Sequence, residues 1–531
     1  MHDRRGIFKV TSSERQVVSA LGSIGAATLA SRVLGFGRDM VVALAFGAGP
    51  VTDAFFVAFR IPNILRRLLA EGALSTAVIP VFTEYAVAHP REALIRMLRA
   101  VLAGALLVLG ITSLVGMAAA PWLVAVIAPG FASDPGQHAL AALLTRVMFP
   151  YLLLVGVAAL AMGVLNSQGR FFAAALGPAV LNVGMIAAVL VLAARLDPPI
   201  LSLALGVLVG GVGQLLVQLP SLRRVGLLVG PSAELGHPAI RRMARLLVPA
   251  VFGLAAVQVM VFVNTLLASL LPAGSISFLY YADRVMEFPL GVFGIALASA
   301  SLPAMSRQAA AGDTQGVAAT LNFTLRLAAY VSMPATVGLV LLSVPITRLL
   351  FERGRFGPTD TEATAAALVW YALGLAGFAG ARIAAQAFYA IGAPGMAVRL
   401  GALAIAANLV AAVLLMGPMG HPGLAAASSL GAYVNLGGLL WVARRRFGPL
   451  GGRALLRSVA RTALACLPLA AWCALSRVAA FALPLATTWW LATWLALTIA
   501  GGGAVFWAAS AMLGSPERVS LWGMLPRRRA R

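Results

Sequence analysis

Five charged side chains lie inside one long apolar segment, TDAFFVAFRIPNILRRLLAEGALSTAVIP, which covers residues 52–80. They are Asp53, Arg60, Arg66, Arg67 and Glu71. A charge at the centre of a membrane helix costs about 2.5–3.5 kcal/mol on insertion scales, so five facing lipid would cost on the order of 12–17 kcal/mol. Charges that are kept at such a cost indicate a function inside the membrane.

The spacing of these charges places most of them on one face of a helix. At about 100° per residue, an arc of about 80° contains Asp53, Arg60, Arg67, Glu71 and Ser75. Arg66 falls outside the arc, and Pro62 can bend the helix and shift these angles. The arc predicts a helix with one face on a water-filled cavity, because that placement removes most of the insertion cost.

Two further apolar segments carry polar residues at helical spacing. In residues 276–304 these are Asp283, Glu287, Gly291, Gly294 and Ser301, with Tyr280 beside them and Arg284 at the margin. The first apolar segment adds Ser31, Arg32, Gly35, Arg38 and Asp39. Glycines on such a face allow another helix or a bulky ligand to approach closely. The three segments together predict one cavity that contains basic and acidic groups.

A cluster of arginines in a membrane cavity is typical of a site for a polyanion. The guanidinium group donates paired hydrogen bonds to phosphate oxygens, and these are stronger than bonds from neutral donors. The alternative is structural, since Arg38 with Asp39, or Arg67 with Glu71, can pair to hold helices together. The whole set favours a transporter for an amphipathic substrate that carries phosphate.

The rest of the chain predicts the membrane scaffold that must position these residues. Of 531 residues, 61% are hydrophobic and 11% charged, and the mean hydropathy is +0.93, which excludes an ordinary soluble domain. About 20 apolar residues span a bilayer. We predict an all-α polytopic membrane protein with about fourteen transmembrane helices, at residues 19–45, 52–86, 95–119, 138–165, 172–194, 199–219, 246–270, 276–304, 317–343, 362–389, 396–416, 422–443, 456–479 and 485–513.

The charge distribution predicts the orientation in the membrane. The formal net charge is +23, and the basic residues lie mostly in short gaps between apolar segments. That distribution follows the positive-inside rule and indicates contact with anionic lipid headgroups rather than with nucleic acid. It places both termini in the cytoplasm.

A long polar break predicts the division of the chain into lobes. It separates the first six segments from the rest, and GAGPVTDAFFVAFR (47–60) aligns weakly with LPAGSISFLYYADR (271–284) as a parallel repeat. We predict an N-terminal lobe at 1–220, a cytoplasmic linker at 221–245, a C-terminal lobe at 246–445, and the last two spans with a basic tail at 446–531. Two six-helix lobes would surround a central cavity.

Four motifs resemble those of the MurJ (MviN) lipid II flippase family: SRVLGFGRD (31–39), GAGPVTDAFFVAFRIPNILRRLLAEGALS (47–75), APGF (128–131) and YYADRVMEFPLGVFGIALAS (280–299). The resemblance covers about residues 15–515. That family belongs to the multidrug/oligosaccharidyl-lipid/polysaccharide exporter superfamily, and the resemblance implies fourteen spans in two six-helix lobes plus two C-terminal helices.

The resemblance also implies the substrate and the residues that bind it. The substrate would be lipid II, undecaprenyl-pyrophosphoryl-MurNAc-pentapeptide-GlcNAc, moved from the inner to the outer leaflet of the bacterial cytoplasmic membrane for peptidoglycan synthesis. Arg32, Arg38, Asp53, Arg60 and Arg284 match cavity residues of the family, while Arg66, Arg67 and Glu71 match its LRR…AEGA segment. The last two spans would hold the polyprenyl tail. Ser31, Asp283 and Glu287 complete the expected substrate-binding set.

Other functions remain open from the residues alone. They are a flippase for another polyprenyl-linked oligosaccharide, or a drug/cation antiporter of the same superfamily. An integral membrane enzyme would need a catalytic acid–base or metal cluster, and we expect no catalytic residue, no metal site and no cofactor. We expect coupling to the membrane potential or to a monovalent ion, with lipid II, membrane lipids and the cell-wall synthesis machinery as partners.

Overall fold

The structure is a computed structural model that describes residues 12–67, 74–480 and 487–524. Side chains are described at residues 29–64, 66–67, 78–173, 175–248, 258–479 and 487–521. Nearly all of this described chain is α-helical, and it contains no strand. Helices satisfy every backbone hydrogen bond within one segment, as a chain in hydrocarbon requires. The predicted all-α class is therefore confirmed.

The chain divides into two compact units, Met1–Leu266 and Leu267–Arg531. The predicted boundaries at 220, 245 and 445 stay predictions. The first unit contains α1 (Ser12–Phe46), α2 (Pro50–Arg66), α3 (Leu74–Ala88), α4 (Arg91–Ala118), α5 (Ala120–Ile127), α6 (Pro135–Met148), α7 (Tyr151–Ser167), α8 (Phe172–Ala175), α9 (Gly177–Leu192), α10 (Leu201–Arg224) and most of α11 (Pro238–Ser269).

Close helix packing in the first unit depends on small residues. Gly184 of α9 and Gly210 of α10 face each other so closely that a Cβ on Gly184 would lie 2.7 Å from the Cα of Gly210. Small residues at such crossings let two backbones approach within a membrane. A buried apolar cluster of α3, α4, α7, α10 and α11 includes Phe82, Met97 and Leu222.

The second unit contains α12 (Ser275–Pro289), α13 (Ile295–Ala310), α14 (Thr314–Leu341), α15 (Ser343–Phe351), α16 (Pro358–Leu373), α17 (Leu375–Ala390), α18 (Pro394–Met419), α19 (His421–Phe447), α20 (Gly452–Ala480), α21 (Thr488–Met512) and α22 (Pro516–Met524). One buried cluster joins α13, α14, α17 and α19 through Leu321, Ile383 and Leu439. A second joins α14, α20 and α21 around Tyr330, Cys473 and Phe506.

Ten helical stretches in the described residues are long and apolar enough to cross a membrane, or eleven if the bent pair α16–α17 is one span. Large apolar side chains on them face outward, including Leu114, Leu414 and Leu467, each more than 60% exposed. Such faces are stable in contact with lipid. The fourteen predicted spans are not confirmed as a number, because the predicted spans 19–45, 52–86 and 246–270 overlap residues that are not fully described.

A widened turn at Leu290–Gly294 corrects the helical angles predicted for residues 276–304. It joins α12 to α13 in one stretch from Ser275 to Ala310, and its hydrogen bonds follow the π pattern. One extra residue per turn rotates all later residues relative to α12. Ser301 is therefore not on the same face as Asp283, although a helix of constant pitch would place it there. Ser301 is buried, and its hydroxyl donates to the carbonyl of Ala298 at 3.0 Å.

Candidate functional site

A buried arginine on α1 anchors the first group of predicted residues. Arg38 donates through Nε and Nη2 to Oδ1 of Asp39, at 3.0 and 2.6 Å. Its Nη1 donates to Oδ1 of Asn182 on α9 at 3.2 Å. Arg38 is 7% exposed and Asp39 is 1% exposed, so this is a charged pair held inside the unit.

Asn182 of α9 makes hydrogen bonds to two different residues of α1. Its Nδ2 donates to the backbone carbonyl of Ser31 at 3.1 Å, while its Oδ1 accepts from Arg38. A Cβ on Gly35 would lie 3.3 Å from the same amide nitrogen, so a small residue is favoured there. Asn182 is not among the residues predicted from the sequence, although a single amide in the apolar stretch GPAVLNVGMIAAVLVL was the available signal.

The remaining α1 residues differ in exposure. Ser31 is half-buried, whereas the Arg32 side chain is exposed. Arg32 lies six positions before Arg38, so the two side chains leave α1 on different faces at about 100° per residue. Arg38 thus has a fixed arrangement of partners, whereas Arg32 is accessible.

The charged side chains of α2 become more exposed from Asp53, on the predicted polar arc, towards the C-terminal end of the helix. Asp53 lies in the first turn and is 2% exposed, where the positive end of the helix dipole stabilises a carboxylate. Arg60 and Arg66 are half-buried, and Arg67 is exposed. The helix continues through Pro62 to Arg66, whose Nε donates to Oδ1 of Asn63 at 3.1 Å.

Two predicted members of that arc cannot be placed. Glu71 lies outside the described residues, and so does the side chain of Ser75. The pairing of Arg67 with Glu71 therefore stays a prediction. The other proposed structural pair, Arg38 with Asp39, is present.

Helix α12 carries a second arginine network, in the second unit. Arg284 donates through Nη1 to Oε2 of Glu287 at 2.8 Å and through Nη2 to the hydroxyl of Tyr280 at 3.1 Å. Its guanidinium carbon lies 5.2 Å from the centre of the Tyr280 ring. Positions i−4 and i+3 are neighbours on a helix, which explains why all three side chains meet. Asp283 and Arg284 are half-buried, and Glu287 is exposed.

The two networks have one chemical property in common. In each, the planar guanidinium group donates several hydrogen bonds to oxygen atoms of nearby side chains. Phosphate oxygens are acceptors of the same kind and bind such donors in pairs. Among the described residues, no group of three His, Cys, Asp or Glu side chains is arranged to hold a metal ion.

Comparison with known proteins decides the family. A family model described as Lipid II flippase MurJ matches residues 42–494. The chain belongs to the MurJ family. A Burkholderia cenocepacia protein named lipid II flippase MurJ is 40% identical over 428 residues, 78% of this chain and 81% of the relative. A Vibrio cholerae serotype O1 protein named "Probable lipid II flippase MurJ" is 38% identical over 441 residues, 81% and 83% of the two chains.

Solved structures show the same fold. A MurJ lipid II flippase in an inward closed conformation aligns with a TM-score of 0.76 at 23% identity, covering 94% of this chain and 99% of that one. An inward-facing multidrug resistance MATE transporter aligns with a TM-score of 0.65 at 14% identity, covering 80% and 96%. The family match and the curated relatives confirm the resemblance to the MurJ family, and the solved structures share its fold. This MurJ family member is a multi-pass protein of the bacterial inner membrane.

Proposed function

We propose that this protein is a flippase that moves lipid II from the inner to the outer leaflet of the cytoplasmic membrane. The observation that carries the proposal is the family match over residues 42–494, together with relatives named as lipid II flippases that align over about four-fifths of both chains. The protein would thus supply the precursor for peptidoglycan synthesis and would act as a transporter, with no bond made or broken.

The arginine networks support a role in binding the pyrophosphate of lipid II. Arg38 and Arg284 already donate to carboxylate, amide or hydroxyl oxygens. The oxygens of a pyrophosphate carry more negative charge than these side-chain oxygens. When the substrate binds, the arginine N–H groups would donate to pyrophosphate oxygens instead, and no N–H group would lose its acceptor. Arg32, Arg60, Arg66 and Arg67 would add positive charge, and Ser31, Asp53, Glu71, Asp283 and Glu287 would position the arginines and the sugar.

Alternating access is the mechanism that we propose for this transfer. The substrate site would open first to the cytoplasm and then to the outside, as in transporters built from two repeats. Both termini would lie in the cytoplasm, following the arginine bias of the loops. We further propose that the membrane potential or a monovalent ion gradient drives the cycle and that cell-wall synthesis enzymes take up the product.

Depletion of the protein tests this function directly. Cells in which it is the sole flippase should accumulate lipid II in the inner leaflet when it is depleted, measured with a membrane-impermeant enzyme that cleaves only outer-leaflet lipid II. Re-expression should restore cleavage. Restoration by a variant that lacks all four of Arg32, Arg38, Arg60 and Arg284 would contradict the proposed arginine site, whereas an unchanged lipid II distribution after depletion would contradict the function itself.

A further inference from the structure

The junction between α19 and α20 concentrates arginines at one end of the second unit. Three arginines occupy the last turn of α19, and three more follow along the beginning of α20: Arg444, Arg445, Arg446, Arg453, Arg457 and Arg461. All six side chains are exposed. Residues 444–461 include no Asp or Glu. This segment is therefore strongly cationic at the junction of two helices that are long and apolar enough to cross a membrane.

A cavity of about 980 Å³ lies among α14, α19 and the beginning of α20. Its lining combines aliphatic side chains with three guanidinium groups, and includes Leu325, Leu440, Leu456, Arg444, Arg453 and Arg457. None of its lining residues, all within the described chain, carries a carboxylate. An apolar wall beside clustered positive charge matches a molecule that has both hydrocarbon chains and an anionic group.

The loop of this cavity is fixed by side-chain hydrogen bonds. Asn322 of α14 is 9% exposed, and its Nδ2 donates to the carbonyls of Leu450 and Gly451 at 2.7 and 3.2 Å. Gly448 and Gly451 have φ values of +83° and +65°, which non-glycine residues rarely adopt. The cavity is therefore formed before any ligand binds, and little order has to be gained on binding.

The aromatic residue in the cavity lining is typical of a membrane interface. The guanidinium carbon of Arg445 lies 3.9 Å from the centre of the Trp441 ring, and Trp441 lines the cavity. Tryptophan is enriched at the level of lipid headgroups, where its ring is partly in an apolar environment. An arginine stacked on that ring keeps its charge at the same level.

We propose that this cavity binds an anionic phospholipid of the cytoplasmic leaflet, the side that the arginine bias predicts for this loop. The phosphodiester accepts hydrogen bonds from Arg444, Arg453 and Arg457, and an acyl chain lies along the leucines of the lining. The N-terminus of α20, which begins at Gly452, adds the positive end of its dipole. Basic pockets between membrane helices bind anionic headgroups in this way.

The aliphatic lining distinguishes a lipid from a free phosphate ion. An inorganic phosphate would satisfy the three arginines but would leave the Leu456 side chain, 71% exposed, uncovered. A phospholipid covers both surfaces, which gains the free energy of burying apolar area. The proposal concerns residues separate from the lipid II arginines, so it does not depend on the flippase function.

Native mass spectrometry of the full-length protein tests the proposal. The purified protein is equilibrated with equal amounts of phosphatidylglycerol and phosphatidylcholine, and the bound lipids are counted. We expect preferential retention of phosphatidylglycerol and a loss of about tenfold or more in its affinity in the variant Arg444→Gln/Arg453→Gln/Arg457→Gln, because each arginine near an anionic lipid contributes independently. These side chains are exposed, so the variant should fold normally.

The matched control removes the same charge from exposed side chains at the end of α10 and the beginning of α11, in Arg223→Gln/Arg224→Gln/Arg241→Gln. The control should retain phosphatidylglycerol as the unmodified protein does. Equal losses in the two variants would show that only general surface charge acts, and would overturn the proposal. Displacement of phosphatidylglycerol by millimolar inorganic phosphate would overturn it as well, since the site would then be one for a free anion. If the triple variant misfolds, Arg453→Gln alone must lower retention measurably for the proposal to stand.

Discussion

Asn182 of α9 accepts a hydrogen bond from Arg38 of α1 at 3.2 Å, across 144 positions of the chain. This contact orients a buried guanidinium that also holds Asp39. Asp39 is the neighbour of Arg38 in sequence, whereas Asn182 holds the same guanidinium group from another helix. The position of one proposed substrate-binding arginine is therefore set by a residue on a different helix.

The first prediction concerns this contact. Asn182→Ala removes the bonds to Arg38 and to the carbonyl of Ser31, and should lower the stability by about 1–3 kcal/mol while reducing flipping. Thermal unfolding in detergent and rescue of flippase-depleted cells measure the two effects. Thr112→Ala is the control, because the Thr112 hydroxyl bonds only within α4, to Val108. Full rescue and an unchanged melting temperature for Asn182→Ala would contradict the positioning role.

The second prediction concerns the arginines themselves. Each of Arg32→Ala, Arg38→Ala, Arg60→Ala and Arg284→Ala should abolish rescue of a flippase-depleted cell while membrane levels stay near normal, because each removes donors proposed to bind pyrophosphate. Arg223→Ala and Arg446→Ala, in predicted cytoplasmic segments, are the controls and should rescue. Equal tolerance of the substitutions in both groups would contradict the proposed arginine site.

The third prediction tests the attachment of the C-terminal helix. Glu517 of α22 is 1% exposed and is bound by Arg326 of α14, with Nε to Oε1 at 2.7 Å, and by Ser458 of α20, with Oγ to Oε1 at 2.8 Å. Arg326→Leu would leave a buried carboxylate without its cation, at a cost of about 3–5 kcal/mol. The melting temperature should fall clearly.

A surface pair provides the control for that measurement. Arg348, 45% exposed, and Glu352, 20% exposed, approach at 3.4 Å in the second unit. Arg348→Leu should cost between about 0 and 1 kcal/mol, as is usual for exposed pairs. A double variant Arg326→Leu/Glu517→Leu should recover part of the loss. Similar melting temperatures for Arg326→Leu and Arg348→Leu would show that the pair Arg326–Glu517 does not stabilise the protein.

The fourth prediction tests whether the polar arc of α2 faces water. A cysteine replacing Arg67, whose side chain is exposed, should react with a water-soluble maleimide in membranes, whereas one replacing Phe55, 1% exposed, should not. The native Cys466 and Cys473 are buried and should give little background. Labelling at both introduced positions, or at neither, would show that helical phase does not determine access to water here.

The sequence predicted the helical membrane fold well because hydropathy and helical period are local properties. It also placed Glu287 on the polar face of residues 276–304 with Arg284 at the margin, and the two side chains do meet, since positions three apart are neighbours on a helix. It could not predict the Arg38–Asn182 contact, because no local pattern connects residues 144 positions apart. Nor did it predict the widened turn at Leu290–Gly294 or the 42° bend between α16 and α17, since helical angles at a constant 100° per residue assume straight, regular helices.

The last prediction concerns the energy source. A Walker A loop needs Gly-Lys before Ser or Thr to hold nucleotide phosphates, and Lys9, the only lysine of this sequence, follows Phe8. Transport should therefore not require ATP hydrolysis by this protein. The proposed site combines arginines with carboxylates such as Asp53 and Glu287, so its net charge changes when a pyrophosphate binds. Moving one charge through a potential of 100 mV corresponds to about 2.3 kcal/mol, enough to bias a cycle strongly.

Because the charge of the site changes on binding, the experiment that tests the energy source changes the membrane potential. In cells or vesicles with ATP held constant, collapsing the potential with a potassium ionophore should slow the appearance of lipid II in the outer leaflet. A proton ionophore and a sodium ionophore, applied separately, then distinguish the potential from each ion gradient. Arg223→Ala provides a matched protein control, since it should respond as the unmodified protein does. Flipping that continues unchanged after collapse of the potential and of both gradients would falsify the coupling, because movement down the concentration gradient of lipid II would then be sufficient.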